Sequence, residues 1–208
     1  MTPKQLDLLN VGRRVISAES AALNVTERML GDSFVRAVEL ILACRGKIIV
    51  SGMGKSGHVA RKIAATMTST GTPTLFLHPA EAAHGDMGII CSEDVVMVLS
   101  FSGQTDELRS VVEFARKQGN RLIAITSSSN SYLATSADVC LAIEIPDDGS
   151  SLGIVPTASA VVELALGDAI AMALAEARGF RAEDFAALHP GGYIERRVRE
   201  VGNDCENL

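Results

Sequence analysis

Apolar residues in the first thirty positions fall at Leu8, Val11, Val15, Ala18, Ala22, Val25 and Met29. The alternating steps of three and four place them on one side of a helix. Leu9, Ile16, Leu23 and Leu30 widen the stripe, and the spacing predicts one long helix over residues 1–31. Its apolar face is broader than a lone surface helix needs. We therefore expect it to pack on another subunit as well as on its own domain; the alternative is core packing within one subunit.

The period then shortens. Apolar runs at residues 47–51, 74–77, 94–100, 121–126 and 139–145 read as five strands. Helical sequence follows the first run to about Thr70, and residues 105–118 are helix-compatible after the third. An Ala-rich helix begins after Pro156 and is closed by Gly179, the residue type that best adopts the left-handed conformation at a helix end. Short strands alternating with helices imply β-α-β units and a parallel sheet covered on both faces. The expected fold is α/β, a three-layer α/β/α sandwich on a five-stranded parallel sheet of the flavodoxin or Rossmann type. Residues 1–208 form a single domain in this reading.

Composition narrows the picture. Aromatic residues make up only 4% of the chain and Trp is absent, so Ala, Val, Ile and Leu must fill the core. The net charge is -6 with no cluster of Lys and Arg, which argues against a nucleic-acid footprint. Cys44, Cys91, Cys140 and Cys205 form no C-x-x-C pair, and no apolar leader opens the chain. Both features point to a reduced, cytoplasmic protein. The stretch 157–177 has the length of a membrane span, but Glu163 and Asp168 interrupt it, so a buried helix is expected and no membrane association.

Ligands of such sheets bind at the carboxyl ends of the strands, where the sequence puts three distinctive loops. The first, from Ser51 to His58, contains G-x-G-x-x-G directly after a strand. A dinucleotide site would also need an acid near the end of the second strand, and residues 74–78 have none. A Walker A loop is excluded because Ile49 stands where its first glycine belongs. Gly54 can still let backbone N–H groups approach an anion, with Lys55 adding a charge and Ser56 a hydroxyl.

The second loop runs Ser100-Phe101-Ser102-Gly103-Gln104-Thr105 and is the more telling. Its three hydroxyls and Gly103 crowd a strand-to-helix junction, and with the positive end of a helix they suit a phosphomonoester without a metal. The plainer alternative is that Ser and Thr cap the helix. Glu107 follows in the first turn, either as a favourable acid at a helix start or as a proton-transfer group. The third loop holds Asp147 and Asp148, which could equally be solvated turn residues. His189 lies in a Pro- and Gly-flanked irregular segment where no core demands a histidine. His84 and Asp86 match no standard metal spacing, so no metal is assigned.

Taken together, G-M-G-K-S-G-H from Gly52, H-P-A-E-A-A-H-G-D from His78, S-G-Q-T from Ser102, L-G-I-V-P-T from Leu152 and R-G-F-R-A-E-D-F-A-A-L-H-P-G-G from Arg178 resemble the arabinose-5-phosphate isomerases of the SIS (sugar isomerase) fold. The resemblance implies interconversion of ribulose 5-phosphate and arabinose 5-phosphate for 3-deoxy-manno-octulosonate synthesis. It also implies a homotetramer with sites shared between subunits. Residue by residue, Lys55 matches the family's loop lysine, His84 the H-G-D histidine, Glu107 the glutamate after the phosphate loop and His189 the H-P-G-G histidine. Asp148 stands near a position where the family often has glutamate, which moves the role of principal base toward Glu107. Better-known members continue into a pair of CBS domains; the sequence ends at Leu208, and a single domain without that pair is expected.

The reaction expected is aldose–ketose isomerisation through an enediol(ate), with no cofactor. Ser56, Ser100, Ser102 and Thr105 would hold the phosphate. Glu107, with Asp148, would move the proton. His189 would open a ring or shuttle a proton between oxygens, Lys55 would neutralise charge, and His84 would orient a sugar hydroxyl.

Overall fold

A computed structural model describes residues 3–150, 152–193, 196 and 198. The stripe at the N-terminus forms α1 (Pro3–Met29), and a second helix, α2 (Asp32–Leu42), follows at once. The long helix expected over 1–31 is thus present as α1, and α2 beyond it is an element that the sequence reading did not identify. Leu30 and Gly31 leave the helical path, Gly31 at φ -164° and ψ -149°, and Asp32 puts an acid in the first turn of the new helix. The apolar period of α2 buries Ala37 and Ile41.

The strands are β1 (Ile48–Gly52), β2 (Thr74–Leu77), β3 (Val95–Leu99), β4 (Arg121–Thr126) and β5 (Val139–Ala142). All five are parallel, in the order β2-β1-β3-β4-β5. The chain order reverses between β1 and β3, so this is the topological switch point, where the crevice of an open α/β sheet lies. Gly52 pairs with Leu99 there, and the two loops leaving these strands start side by side.

Strand residues alternate between two cores, as period-two geometry requires. Ile48, Val50, Met97, Leu99, Ile123, Ile125 and Leu141 face one side, against α1, α2, α3 (Gly54–Ser69) and α7 (Ala158–Ala177). Ile49, Val96, Val98, Leu122 and Ala124 face the other, against α4 (Pro79–Ala82), α5 (Glu107–Gln118) and α6 (Tyr132–Ser136). The α/β three-layer architecture is therefore the one the sequence leads one to expect. Helix α7 is the membrane-length apolar helix among the described residues, and Val162, Leu166, Ile170 and Leu174 are buried in the core. It packs closely on α3: a Cβ at Gly167 would lie 2.3 Å from Ile63.

Only the second half of α1 joins this core, through Ala18, Ala22 and Thr26. Leu8 and Ile16 are 65% and 68% exposed, and Leu9 and Val11 are also exposed. A short helix, α8 (Ala182–Ala187), ends the described regular structure before His189.

Candidate active site

Helices α3 and α5 both begin at the carboxyl edge of the sheet, and neither has a side-chain cap. At α3 the first N–H groups are thus left for another acceptor, whereas at α5 Leu108 N and Arg109 N already donate to the Thr105 and Asp106 carbonyls at 3.2 and 3.0 Å. At α3, Gly54 takes φ +59°, a conformation favoured for glycine. The flanking glycines bring helix and strand together, since a Cβ on Gly57 would sit 2.6 Å from the Gly52 carbonyl oxygen. Lys55 is exposed in the first turn, and Ser56 is half-buried beside it.

In the loop after β3 the hydroxyls converge. Ser100 Oγ is 2.7 Å from Thr105 Oγ1 and 3.5 Å from Ser102 Oγ. Gly103 N donates to Ser100 Oγ (3.1 Å), and Gln104 N to Ser102 Oγ (3.2 Å). These bonds lie ahead of α5, so the serines shape a loop and do not cap the helix. Gly103 takes φ +65° against the β4–α6 loop, where a Cβ would meet Ser131 Oγ at 2.1 Å. From that loop Ser127 Oγ donates to the Phe101 carbonyl at 2.7 Å. Glu107 opens α5 and is exposed.

The third loop closes a depression of about 440 Å³ whose walls include Phe101, Ile145, Asp147, Asp148, Ile154 and Ser159. Asp148 is therefore brought to the flank of the hydroxyl loop. Its Oδ1 accepts from Ser150 N (2.8 Å), and its own carbonyl accepts from Thr157 Oγ1 (2.7 Å). Helix α1 supports this turn: Arg14 Nε donates to the Gly149 carbonyl (3.1 Å), and a Cβ on Gly149 would meet Val15 and Ala18 at 2.9 Å. Ser151 lies outside the described residues.

The two candidate histidines stand apart. His84 is exposed in the crossover after β2. His189 donates or accepts at Nδ1 with the Phe185 carbonyl (2.8 Å) and stacks on the Phe185 ring, centroids 4.3 Å apart. It borders a hollow lined by Arg61, Thr68, Ser69 and Thr74, toward the far end of α3 from Lys55. One chain thus gathers Lys55, Ser56, Ser100, Ser102, Thr105, Glu107 and Asp148 at the carboxyl edge but leaves His189 outside. Among the described residues no group of three His, Cys, Asp or Glu side chains is placed to hold a metal.

Residues 41–173 match the SIS domain. The chain belongs to the SIS domain family. The chain is 49% identical over 195 residues to the arabinose 5-phosphate isomerase KdsD of Pseudomonas aeruginosa, covering 94% of this chain and 60% of that protein. To KdsD of Escherichia coli K12 it is 42% identical over 198 residues, covering 95% and 60%. A solved structure, an Escherichia coli CFT073 protein in complex with arabinose 5-phosphate, superposes with a TM-score of 0.86 at 38% identity, covering 91% of this chain and 100% of that one. The chain spans about three fifths of the length of these curated relatives. The resemblance seen in the loop motifs therefore holds across the fold.

One residue of this SIS domain escapes a reading of the sequence. Glu163, on α7, is 1% exposed, and its Oε1 accepts from Ser56 Oγ at 3.1 Å. No protein group among the described residues reaches Oε2. Burial pushes the Glu163 carboxyl up to about 7, against a smaller lowering by Ser56. In sequence it reads only as a break in an apolar run.

Proposed function

We propose that this SIS domain is an aldose–ketose isomerase interconverting D-arabinose 5-phosphate and D-ribulose 5-phosphate. The observation that carries the reading is the hydroxyl cluster of Ser100, Ser102 and Thr105 at the uncapped start of α5, with Glu107 in its first turn. A phosphate oxygen would replace the bonds these hydroxyls now make with one another. Ser56 and the free N–H groups at the start of α3 would complete the grip. The likeness to arabinose 5-phosphate isomerases and to the complex with arabinose 5-phosphate supports a five-carbon substrate.

With the phosphate fixed, the open-chain sugar reaches from the hydroxyl loop toward Glu107 and Asp148. Glu107 takes the proton from carbon 2 of the aldose, electrons flow to the carbonyl oxygen, and an enediolate forms. Glu107, exposed and so able to exchange that proton with water, then protonates carbon 1, and transfer of a proton between the two oxygens gives the ketose. Substrate and product are isomers, so no redox partner enters. A positioned base of this kind typically contributes about 100- to 10,000-fold. Lys55 stabilises the enediolate or phosphate charge, and His84 orients a sugar hydroxyl.

His189 joins from a second copy of the chain, opening the sugar ring or shuttling the proton between oxygens. The uncovered apolar face of α1, with Leu8, Leu9, Val11 and Ile16 exposed, supports a homo-oligomer, read as a tetramer. The free thiols of Cys44, Cys91 and Cys140 fit a reducing, cytoplasmic setting. The product would feed 3-deoxy-manno-octulosonate synthesis.

The test is a coupled assay on the purified protein with arabinose 5-phosphate and with hexulose and heptose phosphates. Arabinose 5-phosphate should give ribulose 5-phosphate fastest. Preference for a longer sugar would move the substrate, since the loop reads the phosphate and not the chain length. Binding of phosphosugars without turnover of any would make this a sensing module and overturn the isomerase.

A further inference from the structure

We propose that Glu163 is a positioning residue for the phosphate end of the site, setting the direction of the Ser56 hydroxyl and taking up a proton when a phosphomonoester binds. The inference rests on Ser56 being part of the phosphate grip, as proposed above. Glu163 comes from the core helix α7 and reaches Ser56 across the tight α3–α7 contact, a pairing 107 positions apart in sequence.

A buried carboxylate normally collects several donors. Asp94, the other deeply buried acid among the described residues, does so: Lys47 N and Nζ and Cys91 N all donate to it, at 2.9, 2.7 and 2.8 Å. Glu163 has Ser56 alone, and its second oxygen has no protein partner among the described residues. The single hydrogen bond has two directions. When Glu163 is ionised it can only accept, so the Ser56 proton points at Glu163 and the Ser56 oxygen faces the site with lone pairs. That repels a phosphate. When Glu163 is protonated its O–H donates to Ser56 Oγ, and the Ser56 proton is free to turn toward an anion. Binding thus selects the protonated acid, with the proton supplied by solvent.

Elements packed on α7 leave Glu163 to this role. On α3, Lys62 is paired with Asp168 of α7 at 2.5 Å, and Lys55 is exposed. On α1, Arg14 donates to the Gly149 carbonyl and Glu19 is half-buried; on α2, Arg36 donates to the Asp138 carbonyl. Burial leads the causes of the raised Glu163 value, with the Ser56 hydrogen bond opposing it. A free-state value of about 7 places the group on its titration curve near neutrality. An arriving phosphate dianion raises it further. Proton uptake on binding is therefore small well below that value and largest above it.

The experiment is isothermal calorimetry of the full chain with arabinose 5-phosphate at pH 8, in two buffers of different ionisation enthalpy, for wild type and Glu163→Gln. Wild type should take up about one proton per site more than Glu163→Gln, because the titration of the sugar phosphate itself is common to both. In turnover, wild-type KM should rise above pH 7 by up to about tenfold per pH unit, while kcat changes less. Glu163→Gln, whose amide is a permanent donor to Ser56, should lose that dependence. Equal proton uptake in the two proteins, or a wild-type KM flat between pH 7 and 9, overturns the role of Glu163 and leaves the isomerase intact. Failure of wild type to bind arabinose 5-phosphate overturns both.

Discussion

At the amino ends of the strands the acids Asp94 and Asp138 are each held by several donors. Asp94 accepts from Lys47 and Cys91, and Asn120 Nδ2 bridges the Cys91 and Asp94 carbonyls at 2.7 and 2.9 Å. Asp138 accepts from Leu122 N and Arg121, both at 2.8 Å. At the carboxyl ends, hydroxyls lean on one another, two helices begin without caps, and one Glu163 oxygen has no protein partner among the described residues. The two ends therefore treat a buried acid in opposite ways. Burial would raise Asp94, but hydrogen bonds from Lys47 and Cys91 outweigh it and hold the carboxyl below its ordinary value. Glu163, with one bond, goes up. The contrast lies in the acids, since Asn120 Oδ1 at the amino end also lacks a protein partner among the described residues. The fully bonded Asp94 sits where the sheet is tied together, and the half-bonded Glu163 sits where a phosphosugar is proposed to bind.

Four substitutions put that contrast at risk. Glu107→Gln should lower kcat by about 100- to 10,000-fold with the melting temperature nearly unchanged, because Glu107 is exposed. Steady-state kinetics beside thermal denaturation checks both halves. Asp94→Ala should do the reverse. It strands the Lys47 ammonium and two N–H groups, at about 3–5 kcal/mol for a broken buried pair. The low end is expected, since the Lys47 side chain is 25% exposed. Urea denaturation reads the loss, while kcat of the folded fraction holds.

Glu163→Gln tests the opposite pH slopes. The native Glu163 carboxyl lies at about 7 against an ordinary 4.5, so the folded state holds a proton that the unfolded state has lost. Stability from this group therefore falls as pH rises from 4.5 to about 7, by about 3 kcal/mol. The substitution should remove that decline in urea midpoints measured across the range. Asp94, with its lowered value, instead contributes stability above its ordinary 3.8 that is lost as pH falls through the native value. The smallest effect belongs to Ser102→Ala, which removes one exposed hydroxyl from the proposed phosphate grip. It should raise KM about fivefold, the worth of one hydrogen bond, with kcat nearly kept. An equal fall in kcat alone would place Ser102 outside the binding of the phosphate.

Much of the fold could be read locally. Strands β2 and β4 occupy the residues their apolar runs predict, because each run is bounded by turn residues or a charged start. The run at 139–145 overreaches: pairing stops at Ala142, although Ile143 N still donates to the Thr126 carbonyl. Helix α2 is hidden in the sequence because its apolar residues continue the stripe of α1, with Gly31 the sole punctuation. The hydroxyl loop is legible because its residues are contiguous and the strand before it fixes its place. Glu163 is not, because its meaning depends on a contact with Ser56 that only the packing of α7 on α3 creates. The support that α1 gives Gly149 is equally long-range, joining residues 135 positions apart.

The proposed isomerase rests on proton transfer to a phosphosugar held at the carboxyl edge of the sheet. Turnover of arabinose 5-phosphate in deuterium oxide, followed by nuclear magnetic resonance of the ribulose 5-phosphate formed, tests it most directly. Solvent deuterium should appear at carbon 1 of the product, delivered by Glu107 through the enediolate. Product free of solvent deuterium at carbon 1, or no product at all, would contradict it.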